Sequence, residues 1–272
     1  ENHVTAFHDF QLRSDRTVRA QVRISPAPSQ IFKPICDSHR ADELLARFPA
    51  ARGLWIYRHF DDVANSASQK WGAHQREVVA AVAQGNLDTW GWRTDRVPDR
   101  VIADIRRVSR PDLSEAEGAL LFWYLRNAFF FELELERHAR MLLVRYEDLV
   151  TDPDSAFPRV FSHVGAPFDP AYLDRVHGGS VGRKDPPVVS APIRSLCLDL
   201  LDRLDAHARA AAPRPDVPGA RTAGFAGVHG RGHPAEHGGG RDAGQRRHSR
   251  RRHLPGLPDR SPPCSRGRSG CS

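Results

Sequence analysis

Two short apolar runs, Leu54-Trp-Ile-Tyr57 and Met141-Leu-Leu-Val144, each end in an arginine, Arg58 and Arg145. Four apolar residues without polar alternation fit a strand buried on both faces. Two weaker strand candidates precede them: Val18 to Ile24, which alternates apolar and polar residues, and Ile31-Phe32, ending at Lys33-Pro34. Helical spacing covers Ala41 to Phe48 and stops at Pro49. After Arg58, Asp61 is placed to cap a helix that carries Ser66 and runs to about Lys70.

Further helices are expected over Glu77 to Gln84, Pro98 to Val108 and Pro153 to His163, the last closed by Gly165. Ser114-Glu-Ala-Glu117 has the capping-box form and should open a long helix to about Glu136. That helix is apolar around most of its girth (Leu120, Leu121, Trp123 to Leu125, Phe129 to Phe131), so it belongs in the centre of the fold. At this spacing its aromatics read first as core, and as lining of a ligand pocket second. A last amphipathic helix runs from Pro192 to Ala212. Strands alternating with helices indicate an α/β domain with a parallel sheet.

Charge changes the picture at one end only. The 272 residues carry a net +7, but Pro213 to Ser272 alone holds twelve Arg, no Lys and four acids. The rest of the chain is therefore close to neutral. The same segment holds twelve Gly and eight Pro with few large apolar residues, a composition that cannot offset its ordering entropy, so disorder is expected from 213 onward. The organisation expected is thus an α/β domain over 1–212 and a disordered tail over 213–272. Three readings of the tail compete: an Arg-rich binder of polyanions, an inert extension, or the product of a reading-frame shift in GC-rich DNA. With Phe225 its one aromatic, the tail does not support base stacking, and nucleic acid is not the expected partner.

Cys36, Cys197, Cys264 and Cys271 show no CxxC and no metal-ligand spacing with His, so no metal is expected, and Cys36 and Cys197 read as reduced thiols of a cytoplasmic protein. No apolar run approaches 18 residues, and no membrane partner is expected.

The arginine at the end of the first apolar run carries the candidate chemistry. Open α/β sheets bind ligands beyond the carboxyl ends of their strands. An arginine there, a helix start and a hydroxyl can converge on one anion, the guanidinium supplying a planar fork of donors.

The succession Phe32-Lys-Pro…Asp-Ser-His39, Phe48-Pro-x-Ala-Arg52, Trp55-Ile-Tyr-Arg-x-x-x-Asp-Val63, Ser66 and Arg145-Tyr-Glu-Asp-Leu149…Asp152-Pro153…Gly165-x-Pro-Phe168 resembles the sulfotransferases that use 3′-phosphoadenosine 5′-phosphosulfate. The resemblance spans about residues 30–205 and implies a P-loop-like three-layer sandwich with a helix-rich insertion. It implies that Arg58 and Ser66 hold the 3′-phosphate of the donor nucleotide. Ser180-Val-Gly-Arg-Lys184 resembles the loop that closes over the adenosine end, which would bring Arg183 and Lys184 to the same phosphate. His39 is the candidate for the base that takes the acceptor proton. It could equally cap the helix that follows Arg40 or face solvent. Lys33 would face the sulfuryl group, or else be a strand-end lysine in water. The acceptor, a small molecule or glycan with a hydroxyl or amine, would enter among residues 71–136.

Two features depart from the family. His59 and Phe60 stand where Asp-Pro or Asn-Pro is common. No turn of the G-x-x-x-x-G-K kind follows an apolar strand in residues 1–30, so the 5′-phosphosulfate has no visible seat. The same lack argues against a kinase-like P-loop enzyme. The expectation is an N-terminally truncated domain with partial nucleotide affinity and impaired sulfuryl transfer, or an inactive fragment.

Overall fold

The computed structural model describes residues 7–8 and 11–210, apart from 28, 35 and 180. The Arg-rich tail, Cys264, Cys271 and Ser180 lie outside the described residues. Two-residue strands β1 (Phe7–His8) and β2 (Gln11–Leu12) pair antiparallel. Helix α1 (Asp15–Ile24) follows, then a short 3-10 turn (Ser38–Arg40) and α2 (Ala41–Arg47).

Strand β3 (Gly53–Tyr57) leads into the long α3 (Phe60–Gln84), then α4 (Asp99–Val108) and α5 (Glu115–Glu132). Strand β4 (Met141–Arg145) runs into α6 (Tyr146–Thr151) and α7 (Pro153–Val164), and α8 (Ala191–Ala210) ends the described chain. Strands β3 and β4 pair parallel, Gly53 opposite Met141 through Tyr57 opposite Arg145.

The α/β class with a parallel sheet is present. Among the described residues that sheet has two strands, so the fuller P-loop-like sandwich requires strands that these residues do not supply. Its consequence is visible on β3. Tyr57 is buried, but Leu54 is 38% and Ile56 53% exposed. The expectation of burial on both faces is corrected: side chains alternate along a strand, and only one face of β3 meets the helices.

Two strand expectations fail as well. Val18 to Ile24 is helical, because Val18 and Val22 also share a helix face and Asp15 and Arg23 sit at the ends that the helix dipole favours. Around Ile31-Phe32, residues 29–34 are irregular. Two apolar residues before a proline offer too little to pair or bury, so Lys33 is not at a strand end.

The helices expected over 60–70 and 77–84 are one helix. A stripe of Ala64, Ala67, Val78, Val79 and Val82 is buried along α3, and in the more polar segment between them Gly72 is buried against α5 while Lys70, Trp71, Ala73 and Glu77 are exposed. Gly85 closes it with φ +76. The central helix is α5, as its apolar girth implied, capped by Ser114 and Glu117 in a full capping box. It ends at Glu132, short of Glu136.

Helices α3 and α5 cross very closely. A Cβ on Gly118 would lie 2.6 Å from the Arg76 backbone Cα, and one on Gly72 would lie 2.6 Å from the Glu115 carboxylate. Around this crossing Phe60, Leu120, Leu121, Leu125, Phe129 and Ile193 form the fully buried centre. Among the described residues, no helix is long and apolar enough to cross a membrane. Cys36 and Cys197 are free and buried, and burial pushes both thiols up.

Candidate functional site

Arg58 follows directly on β3, and its backbone is clamped from two sides. The Trp123 indole N–H of α5 donates to the Arg58 carbonyl at 2.9 Å. The His59 N–H donates to Glu147 Oε1 at 2.9 Å, while Arg145 Nε bonds Glu147 Oε2 at 3.3 Å. The nearly buried Glu147 carboxylate thus ties together the ends of both parallel strands, which positions Arg58 on a rigid seam. Tyr57 and Arg145 meet again on Asp205 of α8, at 2.6 and 3.4 Å.

The Arg58 guanidinium lies over the Tyr146 ring, 4.9 Å from its centroid, a contact that holds the fork flat on an aromatic face. Its Nη2 donates to Asp62 Oδ2 at 2.9 Å. The same carboxylate accepts the Gly182 N–H at 3.1 and 3.2 Å from its two oxygens. Arg58 and the loop around Gly182 therefore converge on Asp62.

The loop is strapped to α3 by further bonds. Asn65 Nδ2 donates to the Asp185 carbonyl at 3.1 Å. Arg194 pairs with Asp61 at 3.1 Å and donates to the Pro187 carbonyl at 2.9 Å. Asp61 is not the helix cap expected: that place is taken by His59, whose Nδ1 accepts the Asp61 N–H at 3.3 Å. Ser66 is exposed, four residues beyond Asp62 and so on the same face of α3 one turn further on. Arg183 and Lys184 are exposed on the loop.

His39 belongs to a different cluster. It sits in the 3-10 turn before α2 and is 0% exposed, and neither ring nitrogen bonds a helix start, so neither the solvent-facing nor the capping alternative applies. Asp95 Oδ2 is 3.1 Å from its Nε2, within ion-pair distance but off hydrogen-bonding geometry, since both ring nitrogens are buried without a bonded partner. Burial first, and then the Arg126 guanidinium, lower the imidazole below its usual range, against the pull of Asp95 and Asp37. His39 is therefore neutral.

Arg126 is itself lowered to about 10, chiefly by burial. It bonds the Ser38 hydroxyl and the Trp92 carbonyl and packs on the rings of Trp92 and Phe129. Lys33 is exposed.

The aromatic stretch of α5 is mostly core: Trp123, Tyr124, Phe129 and Phe130 are buried. The open space lies elsewhere, in a cleft of about 600 Å³ between the middle of α3, the turn at Arg93 and the start of α5. No group of three or more His, Cys, Asp or Glu side chains able to hold a metal ion occurs among the described residues.

Sequence reasoning missed three participants. Asp62 was legible, being four residues after Arg58 at a helix start, where an Arg–Asp pair is geometrically favoured. Tyr146 and Glu147 follow the second apolar run, and only the parallel pairing of β3 with β4 carries them to Arg58. No protein-family model, curated protein or solved structure matches this chain.

Proposed function

We propose that this chain is a sulfotransferase-like protein whose Arg58 site receives the 3′-phosphate of 3′-phosphoadenosine 5′-phosphosulfate. One observation carries the reading. Arg58 at the strand end and the Gly182 N–H, far apart in sequence, aim their donors at a single carboxylate, Asp62. Donors that converge on a carboxylate oxygen suit a phosphate oxygen equally well. Ser66 adds a hydroxyl one turn along α3, and Arg183 and Lys184 add charge from the loop.

In the reaction so proposed, an acceptor hydroxyl or amine attacks the sulfur in line. The bond from sulfur to the bridging phosphate oxygen breaks, and adenosine 3′,5′-bisphosphate leaves. The work asked of the protein is positioning and charge stabilisation, as in phosphoryl transfer. His39, the base that the resemblance implies, is fully buried behind Asp95, so the scheme requires it to be uncovered before it can take the acceptor proton. Lys33 would stabilise charge on the sulfuryl oxygens. No G-x-x-x-x-G-K turn follows an apolar strand in the sequence of residues 1–30, so transfer should be impaired while part of the nucleotide affinity survives. A P-loop-like sandwich completed by further strands is part of the same proposal.

The test is a calorimetric titration with adenosine 3′,5′-bisphosphate and with adenosine 5′-monophosphate. The bisphosphate should bind more tightly, and Arg58→Ala should abolish the difference. Equal binding of the two nucleotides, or an Arg58→Ala protein that still distinguishes them, overturns the reading.

A further inference from the structure

The cleft beside α3 has an unusual electrostatic wall. Its two cations, Lys70 and Arg93, rest on indole faces instead of carboxylates. Lys70 Nζ is 5.9 Å from the centroid of Trp71, and the Arg93 guanidinium is 4.5 Å from that of Trp92. Neither is paired with a carboxylate among the described residues. An indole face holds a cation in place without neutralising it, so both charges remain available to a ligand.

Glu115 is the one carboxylate in the lining. Lys70, Arg93 and Glu115 together give one net positive charge. A monoanion balances that charge, whereas a phosphate dianion would leave an excess negative charge beside Glu115. His74 stands in the wall with its ring packed against Trp90, 5.0 Å between centroids. Trp71 is 59% exposed, and an open indole offers a platform on which a flat or cyclic body can lie. The cleft is open to solvent and leaves room for a small ring-bearing molecule against Trp71.

From these features we infer that the cleft binds a small carboxylate carried on a ring, with Arg93 and Lys70 holding the carboxylate and Trp71 supporting the ring. The site lies further along α3 than the Arg58 cluster, Ser66 and His74 being separated by about 12 Å of helix. It does not rest on the nucleotide reading. The ring can be aromatic or a sugar, and the shared chemistry is the monoanionic head on a cyclic body.

The experiment titrates the full chain with benzoate and with glucuronate. Their neutral counterparts benzyl alcohol and glucose, and acetate and inorganic phosphate, are run alongside, all followed by tryptophan fluorescence and calorimetry. At least one ring acid should bind at millimolar concentration or better. Its neutral counterpart, acetate and phosphate should each be at least about tenfold weaker, a gap of about 1.4 kcal/mol.

Arg93→Ala should weaken the ring acid by at least about tenfold, in line with loss of a charge-assisted bond, while Arg58→Ala should leave it unchanged. Lys70→Gln gives the same reading should Arg93→Ala fail to fold. Preference for benzoate identifies an aromatic acid and preference for glucuronate an acidic sugar. Binding of neither, equal binding of a neutral ring, acetate or phosphate, or indifference to both substitutions overturns the inference.

Discussion

Arg58 Nη2 and Asp62 Oδ2 are 2.9 Å apart, one helical turn from strand end to helix start, with the guanidinium 25% and the carboxylate 11% exposed. Because Gly182 also donates to Asp62, this carboxylate plays the part of a resident anion. Any phosphate drawn to Arg58 must displace it or share its donors.

Asp62→Asn should therefore strengthen binding of adenosine 3′,5′-bisphosphate. The amide oxygen can still accept from Gly182, but the negative charge that competes for Arg58 is gone. An increase of about tenfold is expected, given that a hydrogen bond to a charged group is worth roughly 1.5–3 kcal/mol and the pair is partly screened by water. Calorimetry of the two proteins side by side checks it. Weaker binding in the variant would mean that Asp62 builds the site instead of blocking it.

The helix crossing makes a sharper claim about stability. Gly118→Ala puts a Cβ 2.6 Å from the Arg76 Cα, a backbone atom that cannot rotate away. The helices must separate, at a cost of about 1–3 kcal/mol. Gly165→Ala meets nothing within 4 Å and suffers only from its φ of +73, so it should cost about 1 kcal/mol. Urea midpoints rank the two, and a Gly118→Ala protein as stable as the parent would refute the close crossing.

Acid should loosen the joint between α5 and α8. Glu117 is buried, which raises its carboxyl, but bonds from the Ser114 and Ser190 N–H groups outweigh burial and hold it below its ordinary 4.5. A carboxyl lowered by folding contributes stability that is complete above the unfolded value and is lost as pH falls through the folded one. Between neutral pH and about 4.5 its contribution should be flat, then decline. Glu117→Gln should remove that decline from a urea series run downward in pH. An unchanged acid limb would assign the loss to other carboxylates.

His39 acts at a higher pH with the same sign. Its folded value lies below 6.5, so the unfolded chain binds the proton first. Stability is complete above 6.5 and falls as pH drops below it, until the folded imidazole also protonates. The groups facing it, Asp95 and Asp37 against Arg126 and Arg40, set how far the window extends. His39→Gln should flatten the slope that begins below pH 6.5. A slope identical to the parent's would show that His39 is not the residue titrating there.

Much of this molecule was legible along the chain. The all-round apolar pattern of Leu120 to Phe131 marks a helix that must be central, because no face of it can meet water without cost. The capping box at Ser114 and the left-handed closures at Gly85 and Gly165 are local devices, and local chemistry decides them. Less was legible wherever period and length were ambiguous. Val18 to Ile24 satisfies both a two-residue and a four-residue repeat, and the charges at its ends favour the helix.

What the amino-acid order determined by itself is most of the helices, the two apolar strands and the arginine at the end of each, since these follow from periodicity and from contacts a few residues apart. Only the tertiary structure decided that β3 leaves Leu54 and Ile56 open, and that His39 is sealed behind Asp95. It alone decided that Arg58 meets Tyr146 and that Gly182 meets Asp62. Those outcomes depend on which distant segments come to lie against one another, a long-range packing choice that no local pattern encodes.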